Sequence, residues 1–257
     1  MSEIISALDL LHPKQIRFHE SYEHKRLEQI CRVMESEGVL RNPPLVSELS
    51  DGKYLLLDGA HRMKAMMALG CKRVAVQVVP DEKIKIRAWN HLLPMGEWVN
   101  NLKNEPTIIW SGKIIANKRL LAKITEANKQ EHFLYARDLN SDLFTHLEIW
   151  HRIVGLYQHE YTVRRHSNDT EVWPHSNEIL MSYPEYSLME LKKVIEAKFL
   201  MPAGVTRTTL SGRLLNLRIP LHILRTEVYP AGEWETLCGN WSKCLRLYDE
   251  PIYVYDA

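Results

Sequence analysis

The feature that most constrains the fold of this chain is an apolar run that passes, through one Asp-Gly pair, directly into a segment with helical periodicity. Residues 54–57 read Tyr-Leu-Leu-Leu, which predicts a buried strand. Residues 58–62 read Asp-Gly-Ala-His-Arg, and the helix predicted from about residue 61 to residue 69 ends at Gly70. A strand, a tight loop and a helix in direct succession predict a mixed α/β (α+β) architecture around this loop.

The loop has the chemistry of an anion-binding site. The first N–H groups of a helix have no partner within the helix and carry partial positive charge, so they suit a phosphate. Gly59 lets the backbone approach a ligand closely, His61 and Arg62 add donors, and Asp58 could bind a Mg²⁺ ion that bridges phosphates. The same residues also suit an Asp-Gly turn that only caps the helix, and the residues alone do not separate these two interpretations.

The composition is that of a globular protein with a sizeable core. The chain has 257 residues, of which 45% are hydrophobic and 25% are charged, a length that suits two modest domains or one large one. We expect two. Lys and Arg together number 33 against 32 for Asp and Glu, so no global basic field would concentrate nucleic acid or anionic lipid, although a local basic patch stays open.

The cysteines and the absence of a leader pattern both point to the cytoplasm. The four cysteines show neither Cys-x-x-Cys pairs nor the spacing of secreted proteins, so we expect reduced thiols. No charged start followed by a short apolar region occurs, and no run of about 18 apolar residues occurs that would span a membrane.

The remaining segments alternate between helical and extended patterns. Ser187 and Glu190 form a capping box ahead of an apolar helical stripe, so both side chains are expected to be structural. Residues 84–86 suit either a helix or a strand. The other predicted helices are residues 27–34, 113–129 and 143–157, and the other predicted strands are residues 8–11, 45–46, 74–78 and 213–219.

The pattern Asp-Gly-x-His-Arg at residues 58–62, placed between a strand and a helix, resembles the loop of the ParB/sulfiredoxin-like fold. Members of that fold use this loop around the phosphates of a nucleotide, and the resemblance covers residues 8–80. Sulfiredoxins carry a catalytic cysteine directly before the His-Arg pair, and Ala60 at that position argues against sulfur-reducing chemistry. ParB partition proteins continue with a helical DNA-reading domain and a basic surface, whereas this chain continues with mixed elements and balanced charge.

Further segments resemble a third group with this fold, the free L-serine kinases, most closely those that serve the staphyloferrin B siderophore pathway. The matching segments extend over nearly the whole chain: Phe18-His19-Glu20, Trp89-Asn90-His91, residues 202–207, and Ser211-Gly212-Arg213. The resemblance implies an ATP-dependent kinase that converts free L-serine to O-phospho-L-serine, as a precursor for 2,3-diaminopropionate and siderophore synthesis. It also implies a ParB-like nucleotide-binding domain at residues 1–100 and a mixed α/β domain at residues 101–257 that contributes to the substrate pocket.

The resemblance assigns roles to individual residues. It makes Glu20 the base or orienting group for the serine hydroxyl, with Glu23 as the alternative, and it makes His61 and Arg62 catalytic as well as nucleotide-binding. The nucleotide phosphates are expected on residues 58–62, including Ala60, with Mg²⁺ on Asp58. The serine site is expected to contain Trp89, His91, Thr206 and Arg207, with Arg207 holding the carboxylate.

Taken without the family, these residues have ordinary structural interpretations. Glu20 lies in a polar stretch that would be a solvated loop, Trp89 would be a core side chain, and Arg207 would be a surface arginine.

The competing function is a ParB-like regulator that responds to a nucleotide or to haem and binds DNA. Haem would need a His or Cys axial ligand, and the sequence singles none out. The phosphate donor, ATP or another nucleotide or pyrophosphate, and the oligomeric state stay open at this point.

Overall fold

A computed structural model describes residues 4–19, 24–138 and 141–248, so Glu20 and Glu23 lie outside the described residues. The described chain divides into two compact units. Unit 1 is built from segments 1–17, 22–83 and 210–257, and unit 2 is built from segments 18–21 and 84–209. Unit 2 is therefore inserted between two parts of unit 1 along the chain.

Unit 1 is organised around a five-stranded sheet that delivers the Asp-Gly loop. The apolar residues of the fifth strand are almost fully buried, as a strand in the middle of a covered sheet requires. The fourth strand pairs with it in antiparallel fashion and with the sixth in parallel. The strands are β1 (Leu8–Leu11), β2 (Ile16–Phe18), β4 (Leu45–Glu48), β5 (Tyr54–Asp58) and β6 (Val74–Val78), in the spatial order β1-β6-β4-β5-β2.

The helices of unit 1 include two that come from the C-terminal segment. Helix α1 (His24–Glu37) packs against α2 (Ala60–Ala68), the helix that follows the Asp-Gly loop. Strand β14 (Ile219–Pro220) pairs with β3 (Val39–Leu40), and it leads into α6 (Leu221–Arg225) and α7 (Ala231–Cys244). The C-terminal segment is thus joined to unit 1 by backbone hydrogen bonds as well as by side-chain packing.

Unit 2 is an antiparallel sheet with helices attached. Its central strand carries Trp89, Asn90 and His91, and three other strands pair with it. The strands are β7 (Ile84–Pro94), β8 (Ile108–Ser111), β9 (Leu120–Glu126), β10 (Glu131–Ala136), β11 (Arg164–Ser167), β12 (Glu178–Ser182) and β13 (Thr206–Leu210), in the order β11-β7-β12-β9-β10-β8, with β13 on β7. The helices are α3 (Glu97–Lys103), α4 (Leu143–Gly155) and α5 (Leu188–Glu196).

Local signals predicted several of these elements. The helix at 143–157 is present as α4 with its apolar stripe buried, and Ser187 and Glu190 form the predicted capping box at α5. Residues 84–86, for which helix and strand were both open, belong to a strand. The four cysteines are free, with Cys71 and Cys238 buried.

Three sequence-based expectations differ from the structure. The charged segment 113–129 was expected to be helical, but it contains β9, because pairing with β10 and β12 outweighs its local helical pattern. Residues 213–219 form no strand apart from the start of β14. The boundary expected at residue 100 would cut through α3 and separate β7 from the rest of unit 2, whereas the main divisions between the observed units follow residues 83 and 209.

Among the described residues, no helix combines the length and the apolar character needed to cross a membrane.

Candidate active site

Gly59 determines the geometry of the Asp58 loop, which we define as residues 58–62. Its φ of +97° is a left-handed conformation that residues with a Cβ rarely adopt. A Cβ at this position would lie 3.0 Å from Cβ of Pro44 and 3.1 Å from Nη2 of Arg62. Both the conformation and the space therefore require glycine, and this explains how β5 can turn directly into α2.

Helix α2 begins directly after Gly59, so its N-terminus lies in the Asp58 loop. Gly59 is the N-cap and has no side chain to occupy the first-turn amides, and Met63 N donates the first helical bond to Gly59 O at 2.8 Å. The first-turn amides of a helix have no carbonyl partner within the helix and suit an anion. Ala60 is buried under this turn and His61 is half-buried beside it.

Asp58 is held between two arginines. Arg62 Nη2 donates to Oδ2 of Asp58 at 2.7 Å, and Arg213 also contacts Oδ2. Burial raises the pKa of the Asp58 carboxyl, but the charges and hydrogen bonds of Arg62 and Arg213 outweigh it and lower the pKa below its ordinary value. Arg62 is further fixed by donating from Nη1 to Asn42 O at 2.7 Å. The loop thus combines an ionised carboxylate with two oriented guanidinium groups.

Gln77 places Arg213 beside the loop. Its Nε2 donates to Gly212 O at 2.8 Å, and its Oε1 accepts from Leu214 N at 2.9 Å, so one buried amide binds the backbone on both sides of Arg213. Buried amides whose donor and acceptor are both satisfied are rigid positioning groups. Sequence reasoning noted Arg213 in a segment that resembles the serine kinases and at the start of a predicted strand, and it missed Gln77, since 135 to 137 positions separate Gln77 from its partners.

A second cluster lies in unit 2 around residues 202–207, which we call the Gly204 loop. Trp89 N donates to Val205 O at 2.9 Å, which ties the loop to β7. The Arg207 guanidinium lies over the Trp89 ring, 5.0 Å from its centroid, in a cation–π contact. Arg207 also contacts Ser167 Oγ and lies 3.4 Å from Oδ2 of Asp169. Arg207 is therefore oriented from two sides.

The loop also binds the residue that precedes Glu20. His19 is buried, and its carbonyl oxygen accepts from Met201 N at 2.6 Å. Its ring Nε2 lies 3.3 Å from Thr206 Oγ1. The Gly204 loop thus contacts both the backbone and the side chain of His19.

His91, which the resemblance implies for the serine site, is buried and contacts the Gly204 loop. The side chain is 1% exposed, and both ring nitrogens are engaged, Nδ1 with Tyr157 Oη at 2.8 Å and Nε2 with Gly204 O at 2.7 Å. Burial lowers the pKa of His91 to about 4, and the nearby Arg165 adds to this effect, so the ring is neutral at pH 7. His91 therefore lies in the protein interior and forms a hydrogen bond with the Gly204 loop.

The structure thus brings together the residues predicted for each cluster separately. Asp58, Gly59, Ala60, His61 and Arg62 form one loop in unit 1. Trp89 and His91 contact the Gly204 loop in unit 2, and this loop carries Thr206 and Arg207. Within the described part of the chain, no group of three or more His, Cys, Asp or Glu side chains is placed so that it could hold a metal ion.

Comparison with known proteins gives matches over part of the chain and over all of it. A family model, the ParB N-terminal domain, matches residues 3–89. The ATP-dependent L-serine kinase of Staphylothermus marinus is 35% identical over 74 residues, which cover 28% of this chain and 29% of that protein. The ATP-dependent L-serine kinase SbnI of Staphylococcus aureus is 31% identical over 259 residues and is covered completely, as is this chain.

Solved structures agree. SbnI with a C-terminal truncation, from Staphylococcus aureus, superimposes with a TM-score of 0.86 at 30% identity over 93% of this chain and 99% of that one. A free serine kinase, studied as a point mutant in complex with ADP, has a TM-score of 0.67 at 14% identity, over 85% of this chain and 94% of that one, and it shows the shared fold. Because a relative with 31% identity extends over the whole chain, the protein belongs to the family of ATP-dependent L-serine kinases.

Proposed function

We propose that the protein transfers a phosphoryl group from ATP to the hydroxyl group of free L-serine and releases O-phospho-L-serine. The observation that carries this proposal is the Asp58 loop, a helix N-terminus flanked by two oriented arginines, in a chain that belongs to the serine kinase family over its full length. Phosphoryl transfer depends mostly on positioning and charge stabilisation, and this arrangement supplies both.

The Asp58 loop binds the phosphates in this proposal. The first-turn amides of α2 and the half-buried His61 offer donors on one side, and the guanidinium groups of Arg62 and Arg213 offer positive charge on the other. Because Asp58 and Asn42 already orient Arg62, little reorganisation is needed when charge develops on the transferring group. His61 and Arg62 therefore contribute to rate as well as to binding.

Asp58 is the residue that would hold Mg²⁺. Both arginines contact Oδ2, so Oδ1 is the oxygen with which Asp58 would reach the ion. Mg²⁺ usually binds one or two carboxylates together with phosphate oxygens of the substrate, and a single carboxylate at this position fits that pattern. When bound, the ion would neutralise phosphate charge.

The Gly204 loop binds the amino acid in this proposal. Arg207, oriented by Trp89 and Asp169, offers a guanidinium to the carboxylate of the amino acid, and Thr206 offers a hydroxyl. His91 sets the position of the loop through Gly204 O. We assign the acceptor of the serine proton to Glu20, as the family resemblance implies, because a carboxylate within hydrogen-bond reach of a primary hydroxyl orients and deprotonates it.

One assay tests the proposal. Purified protein is incubated with ATP, Mg²⁺ and free L-serine, and O-phospho-L-serine and ADP are quantified by mass spectrometry. We expect both products in equal amounts. GTP and pyrophosphate are run in parallel to test the donor, and D-serine and L-threonine test the acceptor. Absence of O-phospho-L-serine with every donor would overturn the proposal, and salt-sensitive binding of a DNA fragment would then favour the regulator.

The product suggests the cellular role. We propose that the protein acts in the cytoplasm and that its O-phospho-L-serine supplies 2,3-diaminopropionate and siderophore synthesis. The family resemblance supports this role, because a phosphate ester makes the serine oxygen a leaving group that an amine can replace. Growth under iron limitation, with and without added O-phospho-L-serine, tests it in a deletion strain.

Haem and DNA are the ligands of the competing function, a ParB-like regulator. A Soret band on haem addition tests haem binding, and DNA titration at two salt concentrations tests DNA binding.

A further inference from the structure

Two buried tyrosines extend the contacts of the Gly204 loop into the core of unit 2. Tyr157, which follows α4, places Oη 2.8 Å from His91 Nδ1, and Tyr183, which follows β12, places Oη 2.6 Å from Tyr157 Oη. All three rings are almost fully buried, with edge contacts between His91 and each tyrosine. The result is a continuous hydrogen-bonded chain from Tyr183 to the backbone of Gly204.

The direction of each hydrogen bond between Tyr183 and Gly204 follows from the carbonyl group of Gly204. A carbonyl oxygen only accepts, so His91 Nε2 carries the proton and donates to Gly204 O. The neutral ring then accepts at Nδ1, so the Tyr157 hydroxyl is the donor there. The oxygen of Tyr157 is left to accept, and Tyr183 donates to it. Burial raises the pKa of both tyrosines, so their protons remain in place at neutral pH.

We propose that Tyr157 and Tyr183 are positioning residues of the serine site, which hold the His91 ring in the orientation that donates to Gly204 O and thereby set the position of the Gly204 loop. This inference rests on the proposed function. Without the hydroxyl of Tyr157, the buried Nδ1 would lose its donor, and the ring would lose the contact that fixes its orientation. The Gly204 carbonyl would still select the tautomer protonated at Nε2, so the expected change is a weaker hydrogen bond from Nε2 to Gly204 O.

The position of Gly204 makes this control effective. Gly204 has a φ of +71°, and a Cβ on it would lie 2.3 Å from Nε of Arg165, so the backbone passes directly beneath that side chain. Val205 and Thr206 follow, and they bind Trp89 and approach His19 respectively. A shift of the Gly204 carbonyl is therefore transmitted to groups on both sides of the proposed serine site.

The test compares Tyr157→Phe and Tyr183→Phe with Tyr186→Phe in the full-length protein. Tyr186 is a suitable control because it is a buried tyrosine of the same unit. Its ring packs against Trp150, and it is not part of the series of hydrogen bonds from Tyr183 to Gly204. For Tyr157→Phe we expect the KM for serine to rise about 10-fold, with the KM for ATP changed less than twofold. Tyr183→Phe should have a smaller effect in the same direction, because Tyr157 keeps its donor. Tyr186→Phe should leave both constants unchanged.

NMR of the His91 ring gives a readout that general destabilisation would not produce. We expect the Nε2–H tautomer in both proteins, and in Tyr157→Phe an upfield shift of the Nε2 proton, because its hydrogen bond to Gly204 O is weaker. His91→Gln, whose amide nitrogen can still donate to Gly204 O, should retain more affinity for serine than His91→Leu. An unchanged shift of this proton together with an unchanged serine KM in Tyr157→Phe would overturn the proposal, as would equal serine KM values for His91→Gln and His91→Leu.

The two hypotheses fail in different ways. If the wild type makes no O-phospho-L-serine, the proposed function is wrong, yet the NMR signals of His91 and the exchange rate of the Trp89 amide still show whether the tyrosines control the loop. If the wild type is active and the variants match Tyr186→Phe in every measurement, only the positioning role is wrong.

Discussion

Asp58 shows how much of a site can be read at the scale of single residues. The residues around the turn, from Asp58 to Arg62, are neighbours in sequence, so the local pattern suited an anion site or a helix-capping turn, and the family resemblance favoured the anion site. Arg213 contacts the same carboxylate from 155 positions away, and sequence reasoning noted it only within a segment that resembles the serine kinases. Sequence reasoning therefore assigned Arg62 to this turn, and the folded chain added Arg213.

Arg213 is expected to be as important for phosphate transfer as Arg62. Arg213→Gln removes a positive charge from the Asp58 loop and keeps a polar side chain, so we expect kcat/KM for ATP to fall roughly 100-fold. Steady-state kinetics at saturating serine measures this. Arg246→Gln, an equivalent change at an exposed arginine of unit 1, is the matched control and should stay within twofold of the wild type. Equal values for the two variants would contradict the role of Arg213.

Glu20 is the residue whose replacement should separate chemistry from binding. We expect Glu20→Gln to lower kcat by a factor on the order of 10²–10⁴, because the amide cannot accept the serine proton, while nucleotide affinity changes little. Single-turnover kinetics and nucleotide titration check both halves of this expectation. The control is Glu28→Gln, on an exposed position of α1. A Glu20→Gln enzyme with wild-type kcat would assign the base elsewhere, with Glu23 as the next variant to make.

At the scale of elements, predictions succeeded where the signal is local. The capping box at Ser187 and the stripe of α4 depend on side chains three or four positions apart, and both were predicted. Strand β9 was missed because Lys123 and Glu126 give the segment a helical charge pattern, whereas its extended form depends on β10 and β12. Sheet partners decide such segments, and sheet partners are not local.

The direct turn from β5 into α2 depends on Gly59, and adding one methyl group at this position tests that dependence. Gly59→Ala adds a Cβ in a left-handed conformation and against Pro44, so we expect it to cost roughly 2–5 kcal/mol of stability. Gly70→Ala is the control, because Gly70 has a φ of +76° but no atom within 4 Å of a built Cβ, and it should cost about 1–2 kcal/mol. Urea unfolding followed by tryptophan fluorescence measures both. Equal losses would mean that the contact with Pro44 relaxes freely.

At the scale of the whole molecule, the buried His91 makes stability depend on pH. Its pKa is lowered from 6.5 to about 4 in the folded protein, so the unfolded chain binds more protons between these values. The contribution is fully present above about pH 6.5, falls as pH decreases, and is lost below about pH 4. Its full size corresponds to roughly 3 kcal/mol.

Unfolding free energies at pH 7.5 and pH 5.0 measure this dependence. Wild type and His91→Gln share every other titrating group, so the difference between their pH slopes isolates the imidazole. We expect the wild type to lose more stability than His91→Gln between the two pH values. Parallel slopes would show that His91 is accessible to protons in the folded state.

The division of the whole chain was the part least accessible to sequence reasoning. A boundary at residue 100 was expected, but unit 2 includes both β7 and α3 on either side of that position, and the chain returns to unit 1 at residue 210. The contacts that define this return, such as Leu217 N with Arg41 O and Gln77 with Gly212, link distant positions. Neither composition nor periodicity records such pairings.

This nested arrangement has a consequence for how the protein is made. A ribosome releases the chain from the N-terminus, and domains fold as their residues emerge. After residue 209 has emerged, every described strand and helix of unit 2 is available except the last residue of β13, but unit 1 still lacks β14, α6 and α7. Arg213 and the loop held by Gln77 are also still missing. The nascent chain therefore cannot complete the Asp58 loop until residue 213 has been translated, so products truncated before that position would lack the arginine.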